Sequence, residues 1–207
     1  MRVNKKNKNF VYLISPNKIK NEKFYFRLNQ VLSSKKVSFF QLRLKKTNFK
    51  SKVFIGKKIK KICKKHNVKF LINDDPLIAK KINADGCHLG QKDMNIYNAR
   101  KLLKNKIIGV TCHNSLNLAK KAIKEGANYL AFGAFYSSKT KKTKYKASLK
   151  ILSLAKKLTN IPIVAIGGIK DTNYKKLLLN KANFLAISGY IWNNKKLNPK
   201  EAMDKLI

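Results

Sequence analysis

The stretch Lys69-Phe70-Leu71-Ile72-Asn73-Asp74-Asp75-Pro76, continued by Leu77 to Asn83 and then by Ala84-Asp85-Gly86-Cys87-His88-Leu89-Gly90-Gln91-Lys92-Asp93, holds the pattern from which the fold is read. A short apolar run, Lys69 to Ile72, gives way to apolar residues at helical spacing over Pro76 to Asn83, and a second short run follows at Gly86 to Leu89. The same alternation extends in both directions. Further candidate strands are Phe10 to Ile14, Val37 to Leu44, Ile107 to Thr111, Tyr129 to Gly133, Ile163 to Ile166 and Phe184 to Ser188, making eight. Helical spacing recurs at Ile59 to His66, Ile96 to Lys104, Leu116 to Glu125, Ser148 to Leu158 and Asp171 to Leu179, with Ser115 and Asp171 as N-caps. Asn193 to Ile207 reads as one closing helix. Eight parallel strands with crossover helices form either a closed (β/α)8 barrel or an open doubly wound sheet. No strand is followed by a GxGxxG turn, which weakens the dinucleotide-binding version of the open sheet. A barrel of 207 residues requires tight connections.

Composition narrows the class. The hydrophobic content of 44% suits one folded domain spanning residues 1–207. No apolar run approaches the length of a membrane span, and Phe10 to Ile14 is too short for the core of a signal peptide, so a cytoplasmic location is expected. Cys63, Cys87 and Cys112 form no CxxC pair and are expected as reduced, buried thiols. Cys87-His88 and Cys112-His113 cannot chelate zinc as strand neighbours, because consecutive side chains point to opposite faces. The formal charge of +39, from 48 basic and nine acidic residues, would suit a polyanion partner. Only Arg2, Arg27, Arg43 and Arg100 are arginine, however, and the lysines are spread evenly, as an A+T-rich coding sequence would impose. No specific nucleic acid is therefore expected.

Against that basic background, Asp74, Asp75, Asp85 and Asp93 crowd into twenty residues. Asp74 and Asp93 would stand at the ends of neighbouring strands, roughly 5 Å apart in a sheet. Two readings stay open there. The pair can hold one divalent ion, Mg²⁺ fitting best because it accepts one or two protein carboxylates, or Asp74 or Asp75 can cap the helix starting near Pro76 and Asp93 the next one.

Other strand ends share a polar or small character, as barrel enzymes require at the C-terminal face. In Phe40-Gln41-Leu42-Arg43-Leu44-Lys45, strict alternation puts Gln41, Arg43 and Lys45 on one face, which in a barrel is the interior or its mouth. Gly133 to Thr143 is a loop rich in hydroxyls and lysines, whose Ser138, Thr140 and Lys141 can donate to diphosphate oxygens. Gly167-Gly168 and Ile187-Ser188-Gly189 follow the seventh and eighth strands, where glycine exposes backbone N–H groups to a phosphate.

Gln41-x-Arg43-x-Lys45, Ile72-Asn73-Asp74, Ala84-Asp85-Gly86-x-His88-Leu89-Gly90-Gln91-x-Asp93, Gly109-Val110-Thr111-x-His113, Thr140-Lys141 and Ala165-Ile166-Gly167-Gly168-Ile169 together resemble the thiamine phosphate synthase family. The resemblance implies a (β/α)8 enzyme that joins a hydroxymethylpyrimidine diphosphate to a thiazole phosphate and releases diphosphate. It further implies Mg²⁺ on Asp74 and Asp93, and a diphosphate grip from Arg43, Lys45, Asn73 and Lys141. Thr111, Ser138 and Thr140 would add hydroxyl contacts, Gln41 a pyrimidine contact, and Gly167, Gly168, Ile187 and Ser188 a cradle for the thiazole phosphate. Thr111 stands where the family more often has serine and Ser138 where it often has threonine. Ser137 and Lys139 replace frequent prolines, so a looser loop is expected. Two rival functions carry distinct expectations. A thiazole tautomerase of the same fold would use His113 as acid and base and need no metal, and a lysine-driven nucleic-acid binder would need no ordered strand-end residues.

Overall fold

The computed structural model describes residues 9–138 and 145–206. Its strands are β1 (Val11–Ile14), β2 (Val37–Leu42), β3 (Lys69–Asn73), β4 (Gly86–Leu89), β5 (Ile107–His113), β6 (Tyr129–Gly133), β7 (Ile163–Ile166) and β8 (Phe184–Ile187). The helices are α1 (Lys23–Leu32), α2 (Phe49–Lys65), α3 (Pro76–Lys81), α4 (Ile96–Leu103), α5 (Leu116–Lys124), α6 (Lys150–Leu158), α7 (Tyr174–Leu179), α8 (Gly189–Trp192) and α9 (Pro199–Asp204). Every strand pairs in parallel with the next and β8 closes on β1, so the barrel is realised and the open sheet is not.

Strand alternation divides the core in two. Phe40, Leu42, Phe70, Ile72, Cys87 and Leu89 face outward into the layer between barrel and helices. Tyr12, Leu71, Tyr129, Ala131, Val164 and Ala186 fill the barrel itself, with Phe39, Ile107 and Phe184 near the strand starts. Gln41 joins this interior and is only 2% exposed. Cys87 packs outward while His88 hydrogen-bonds with the interior Tyr129, so that pair does point to opposite faces. The three cysteines are buried and unbonded to one another; burial pushes the thiols of Cys87 and Cys112 up to about 12.

Several boundaries differ from those expected of the sequence. β2 ends at Leu42 instead of Leu44, because the Arg43 N–H donates to Ser15 Oγ at 2.9 Å instead of a strand partner. Arg43 and Lys45 therefore rise into the loop above the barrel. α2 starts at Phe49, ten residues before the expected Ile59, where the Asn48 side chain accepts the Ser51 N–H at 2.8 Å. α1 is an addition to the expected helices, with Phe24, Leu28, Val31 and Leu32 as its buried stripe. Ser115 caps α5 as expected, accepting the Leu118 N–H at 3.2 Å. Asp171 does not cap α7: that helix starts at Tyr174, behind Asn173, whose side chain accepts the Lys170 N–H at 2.9 Å. From Asn193 the tail carries one helix, as expected, but a shorter one: α8 ends at Trp192, and Asn198 and Glu201 form a reciprocal capping box that starts α9 only at Pro199. Among the described residues no helix is long and apolar enough to cross a membrane.

Candidate functional site at the barrel mouth

The carboxylates over β3 and β4 are distributed by the local turns. Asp75 caps α3, accepting the Ile78 N–H at 3.0 Å, and Asn95 caps α4, accepting the Asn98 N–H at 2.8 Å. The cap expected of Asp74 or Asp75 is thus Asp75, while Asp74 and Asp93 cap neither helix. Asp74 adopts φ 66°, and its N–H donates to the His88 carbonyl at 2.8 Å, which anchors the turn over β4. Asp93 accepts the Gly90 N–H at 2.6 Å. Asp85, the fourth acidic residue of the cluster, serves the fold, accepting the Phe70 N–H at 2.8 Å at the start of β3.

Lys45 extends from the β2 loop and its Nζ donates to Asp74 at 2.5 Å. Burial raises the Asp74 carboxyl, but hydrogen bonds with Lys45 and Asp93 and the Lys45 charge outweigh it and hold the group below its ordinary range. Asp93 moves the other way. Burial raises it, the Gly90 N–H lowers it, and the hydrogen bond and negative charge of Asp74 carry it above its ordinary range. Two carboxylates this close resist joint ionisation unless a cation shares them. Both offer hard oxygen donors, and among the described residues no group of three or more His, Cys, Asp or Glu side chains is placed to hold a metal. That donor set fits Mg²⁺, which needs only one or two carboxylates and leaves its other positions to water and phosphate.

Arg43 completes this side of the mouth. Its guanidinium donates to Asn17 Oδ1 at 3.1 Å, burial lowers its proton affinity and the charge of Asp74 partly restores it. Asn73 ends β3 half-buried beside Asp74. Ser138 is half-buried at the edge of the described loop, and Thr140 and Lys141 lie outside the described residues.

Across the mouth, Gly167 and Gly168 have φ of 108° and 61°. A Cβ on Gly167 would stand 2.4 Å from the Ala134 Cβ, and one on Gly168 2.4 Å from the Ser137 carbonyl oxygen, so side chains are excluded where the β6 loop crosses. The carbonyls of Ile166 and Gly167 accept the N–H groups of Phe135 and Tyr136, each at 3.1 Å. In a trans peptide the following N–H points the opposite way, so the amides of Gly167 and Gly168 are aimed away from that loop. Ile187 is buried and can offer only its backbone, whereas Ser188 Oγ donates to the Ser15 carbonyl at 3.1 Å and ties β8 to β1.

Below the ionic layer lies a feature absent from the expected site. Gln41 Nε2 donates to Tyr12 Oη at 2.8 Å, Tyr12 Oη lies 2.7 Å from Tyr129 Oη, and Tyr129 Oη lies 2.8 Å from His88 Nδ1. His88 Nε2 is in turn 2.8 Å from Thr111 Oγ1, and Gln91 Nε2 donates to the Thr111 carbonyl at 2.5 Å. Polar residues at the alternate, inward positions of β1, β4 and β6 are the signal that the sequence carries for it. His113 is placed differently: the ladder to β6 shifts between Thr111 and His113, and its ring stacks on Tyr145 with centroids 4.0 Å apart.

A family model described as thiamine monophosphate synthase matches residues 11–191. A thiamine-phosphate synthase of Pelagibacter ubique strain HTCC1062 is 74% identical over 206 residues, covering 100% of both chains. Another, from Nitrosomonas eutropha, is 42% identical over 158 residues, 76% of this chain and 74% of its own. The solved thiamine phosphate pyrophosphorylase of Pyrococcus furiosus superposes with a TM-score of 0.85 at 27% identity, covering 97% of this chain and 94% of that one. With the family model spanning most of the barrel and a full-length relative this similar, the chain belongs to the thiamine monophosphate synthase family.

Proposed function

We propose that the chain, as one barrel domain, is a Mg²⁺-dependent transferase that couples hydroxymethylpyrimidine diphosphate to thiazole phosphate, releasing diphosphate and forming thiamine phosphate. The carrying observation is the mouth cluster itself, in which Lys45 meets Asp74, Asp93 shares that carboxylate's field and Arg43 stands alongside. Cations and paired carboxylates gathered on one rim suit a departing diphosphate better than proton transfer.

The bond from the pyrimidine methylene carbon to the diphosphate oxygen breaks with its electron pair on oxygen, and the thiazole nitrogen lone pair then forms the new carbon–nitrogen bond. Arg43 and Lys45 bind the leaving oxygens as their charge grows, and Asn73 orients them. Thr111 and Ser138 contribute hydroxyls, and Thr140 and Lys141 belong to the same grip by resemblance. Mg²⁺ held by Asp74 and Asp93 would supply charge neutralisation to the diphosphate. Gln41 contributes to the pyrimidine side from its buried seat. The amides of Gly167 and Gly168, with the backbone of Ile187 and Ser188, take the thiazole phosphate. This chemistry requires no protein nucleophile. The reaction takes place in the cytoplasm on small-molecule substrates, without a specific nucleic-acid or membrane partner, and a homo-oligomer is compatible with it.

The test mixes purified protein with both substrates and follows thiamine phosphate and diphosphate. Product that disappears with EDTA or in Asp74→Ala supports the reading. Absence of product from folded protein, with rapid isomerisation of the thiazole tautomer and no need for Mg²⁺, would replace it with the tautomerase.

A further inference from the structure

The polar chain beneath the mouth has a direction. An amide nitrogen such as Gln41 Nε2 can only donate, so Tyr12 Oη accepts from it. Burial raises both phenols, Tyr129 well above its ordinary value, so each keeps its single proton. With Gln41 donating to it, Tyr12 can pass its proton along the chain only to Tyr129 Oη. Tyr129 then donates to His88 Nδ1, which must be bare. The imidazole proton therefore sits on Nε2 and is donated to Thr111 Oγ1. The reverse order would place two donors on the Tyr12 oxygen and leave the Tyr12 proton outside the chain, on a residue 1% exposed.

We infer that His88 is a positioning residue, locked as its Nε2–H tautomer by the Gln41, Tyr12 and Tyr129 chain, and that it occupies one of the two lone pairs of Thr111 Oγ1 and so biases the threonine hydroxyl to donate its own proton at the barrel mouth. The inference deepens the proposed reaction and rests on that reading for the identity of the acceptor, an oxygen of the departing diphosphate. A threonine free to rotate would present a lone pair to that anion as readily as a proton. With one lone pair taken by His88, the hydroxyl is biased toward presenting its proton before substrate arrives, which is the preorganisation that electrostatic catalysis uses. The strands make room for the arrangement. A Cβ on Gly109 would stand 1.8 Å from the Tyr129 Cζ, so β5 gives up a side chain where the phenol passes toward His88. The His88 and Tyr129 rings lie nearly parallel, at 17° with centroids 5.7 Å apart, which holds Nδ1 in line with the phenol.

Tyr129→Phe keeps the ring and removes the oxygen. The expected result is a fall in kcat of about tenfold, part of the roughly 100-fold that loss of an oriented donor in Thr111→Val should cause, with KM little changed. In the Thr111→Val background the same substitution should do nothing further. Nitrogen-15 NMR of the substrate-free protein should show His88 with a bare Nδ1 and a protonated Nε2, and a gain of the Nδ1–H tautomer in Tyr129→Phe. A native spectrum with the proton on Nδ1 would overturn the inference. So would an equal loss of kcat from Tyr129→Phe with and without the Thr111 hydroxyl, or unchanged turnover in Thr111→Val. The spectrum needs no substrate, so it decides the tautomer even if the coupling reaction itself is not observed.

Discussion

Replacing Gly109 with alanine offers a quantitative test of how β5 and β6 fit together. The added Cβ would lie 1.8, 2.1 and 2.2 Å from three atoms of the Tyr129 ring, where ordinary contacts start near 3.4 Å. The ring would have to retreat by more than an ångström. It has little room, because Tyr12 meets it edge-on with centroids 5.7 Å apart and Phe39 tilts against it at 6.2 Å. Overpacking of this kind costs about 3 kcal/mol, the upper end of the usual range. For a chain of this size each kcal/mol lowers Tm by roughly 2–4 °C, so the expected drop is about 6–12 °C. A retreat of that size also stretches the 2.7 and 2.8 Å bonds from Tyr129 to Tyr12 and His88 past hydrogen-bonding distance. Turnover at a temperature where the variant is fully folded should therefore fall as it does in Tyr129→Phe. Thermal denaturation followed by circular dichroism, paired with the coupling assay, reads both effects. Gly126→Ala is the control, since nothing lies within 4 Å of its Cβ and only backbone strain at φ 85° opposes it, about 1 kcal/mol. A Gly109→Ala protein whose Tm stays within about 2 °C of the parent would refute the packing argument.

Other substitutions separate function from fold. Asp93→Ala should lower turnover by roughly 100-fold or more while leaving Tm close to the parent, because it removes one of two close carboxylates that repel each other; near-normal activity at limiting Mg²⁺ would refute the metal role. Asn198→Ala breaks the capping box of α9 and should cost about 1 kcal/mol, a fall in Tm of roughly 2–4 °C, with kcat unchanged. Burial holds the Cys87 and Cys112 thiols up to about 12, so at pH 8 they remain protonated and alkylation followed by mass spectrometry should proceed only as fast as the protein opens.

The barrel is legible in the sequence because its signal is repeated. Eight apolar runs separated by lysine-rich helical segments point to one architecture, and the bounds of β4, β6 and β7 and the starts of α3, α4 and α5 match the structure residue for residue. The Lys45, Asp74 and Asp93 cluster is legible because acids are so scarce here that four in twenty residues require a cause. Helix starts are harder. The first turns of α2 expose Phe49 and Phe54 among lysines, and exposed aromatics blur the stripe that marks a buried face. Asn173 displaces Asp171 at the start of α7 because its amide both accepts the Lys170 N–H and donates to the Gly168 carbonyl at 3.0 Å, serving the glycine turn as well as the helix. The phenol chain is faint in the sequence, marked only by inward strand positions, because Tyr12 and Tyr129 read as ordinary strand aromatics. Only their meeting, 117 positions apart along the chain, gives them a polar role.

The vertical order of the barrel connects that chain to the chemistry above it. Phe39, Ile107 and Phe184 occupy the inward positions nearest the strand starts. Neutral hydrogen-bonding groups come next, Gln41, Tyr12, Tyr129, His88 and Thr111, and full charges appear only beyond the strand ends, on Arg43, Lys45, Asp74 and Asp93. β2 makes the transition over two inward-facing steps, from Phe39 to Gln41 and from Gln41 to Arg43, because alternation allows one interior residue in every two. Charges placed deeper would lie in the apolar interior at a large desolvation cost, and charges placed farther out would be screened by water. The polar middle layer resolves this conflict. It satisfies its own hydrogen bonds without carrying net charge, keeps bulk water from the floor of the site, and presents oriented dipoles to the ions above. A diphosphate held at the mouth then develops its leaving-group charge against fixed donors, and little reorganisation is needed when the bond breaks.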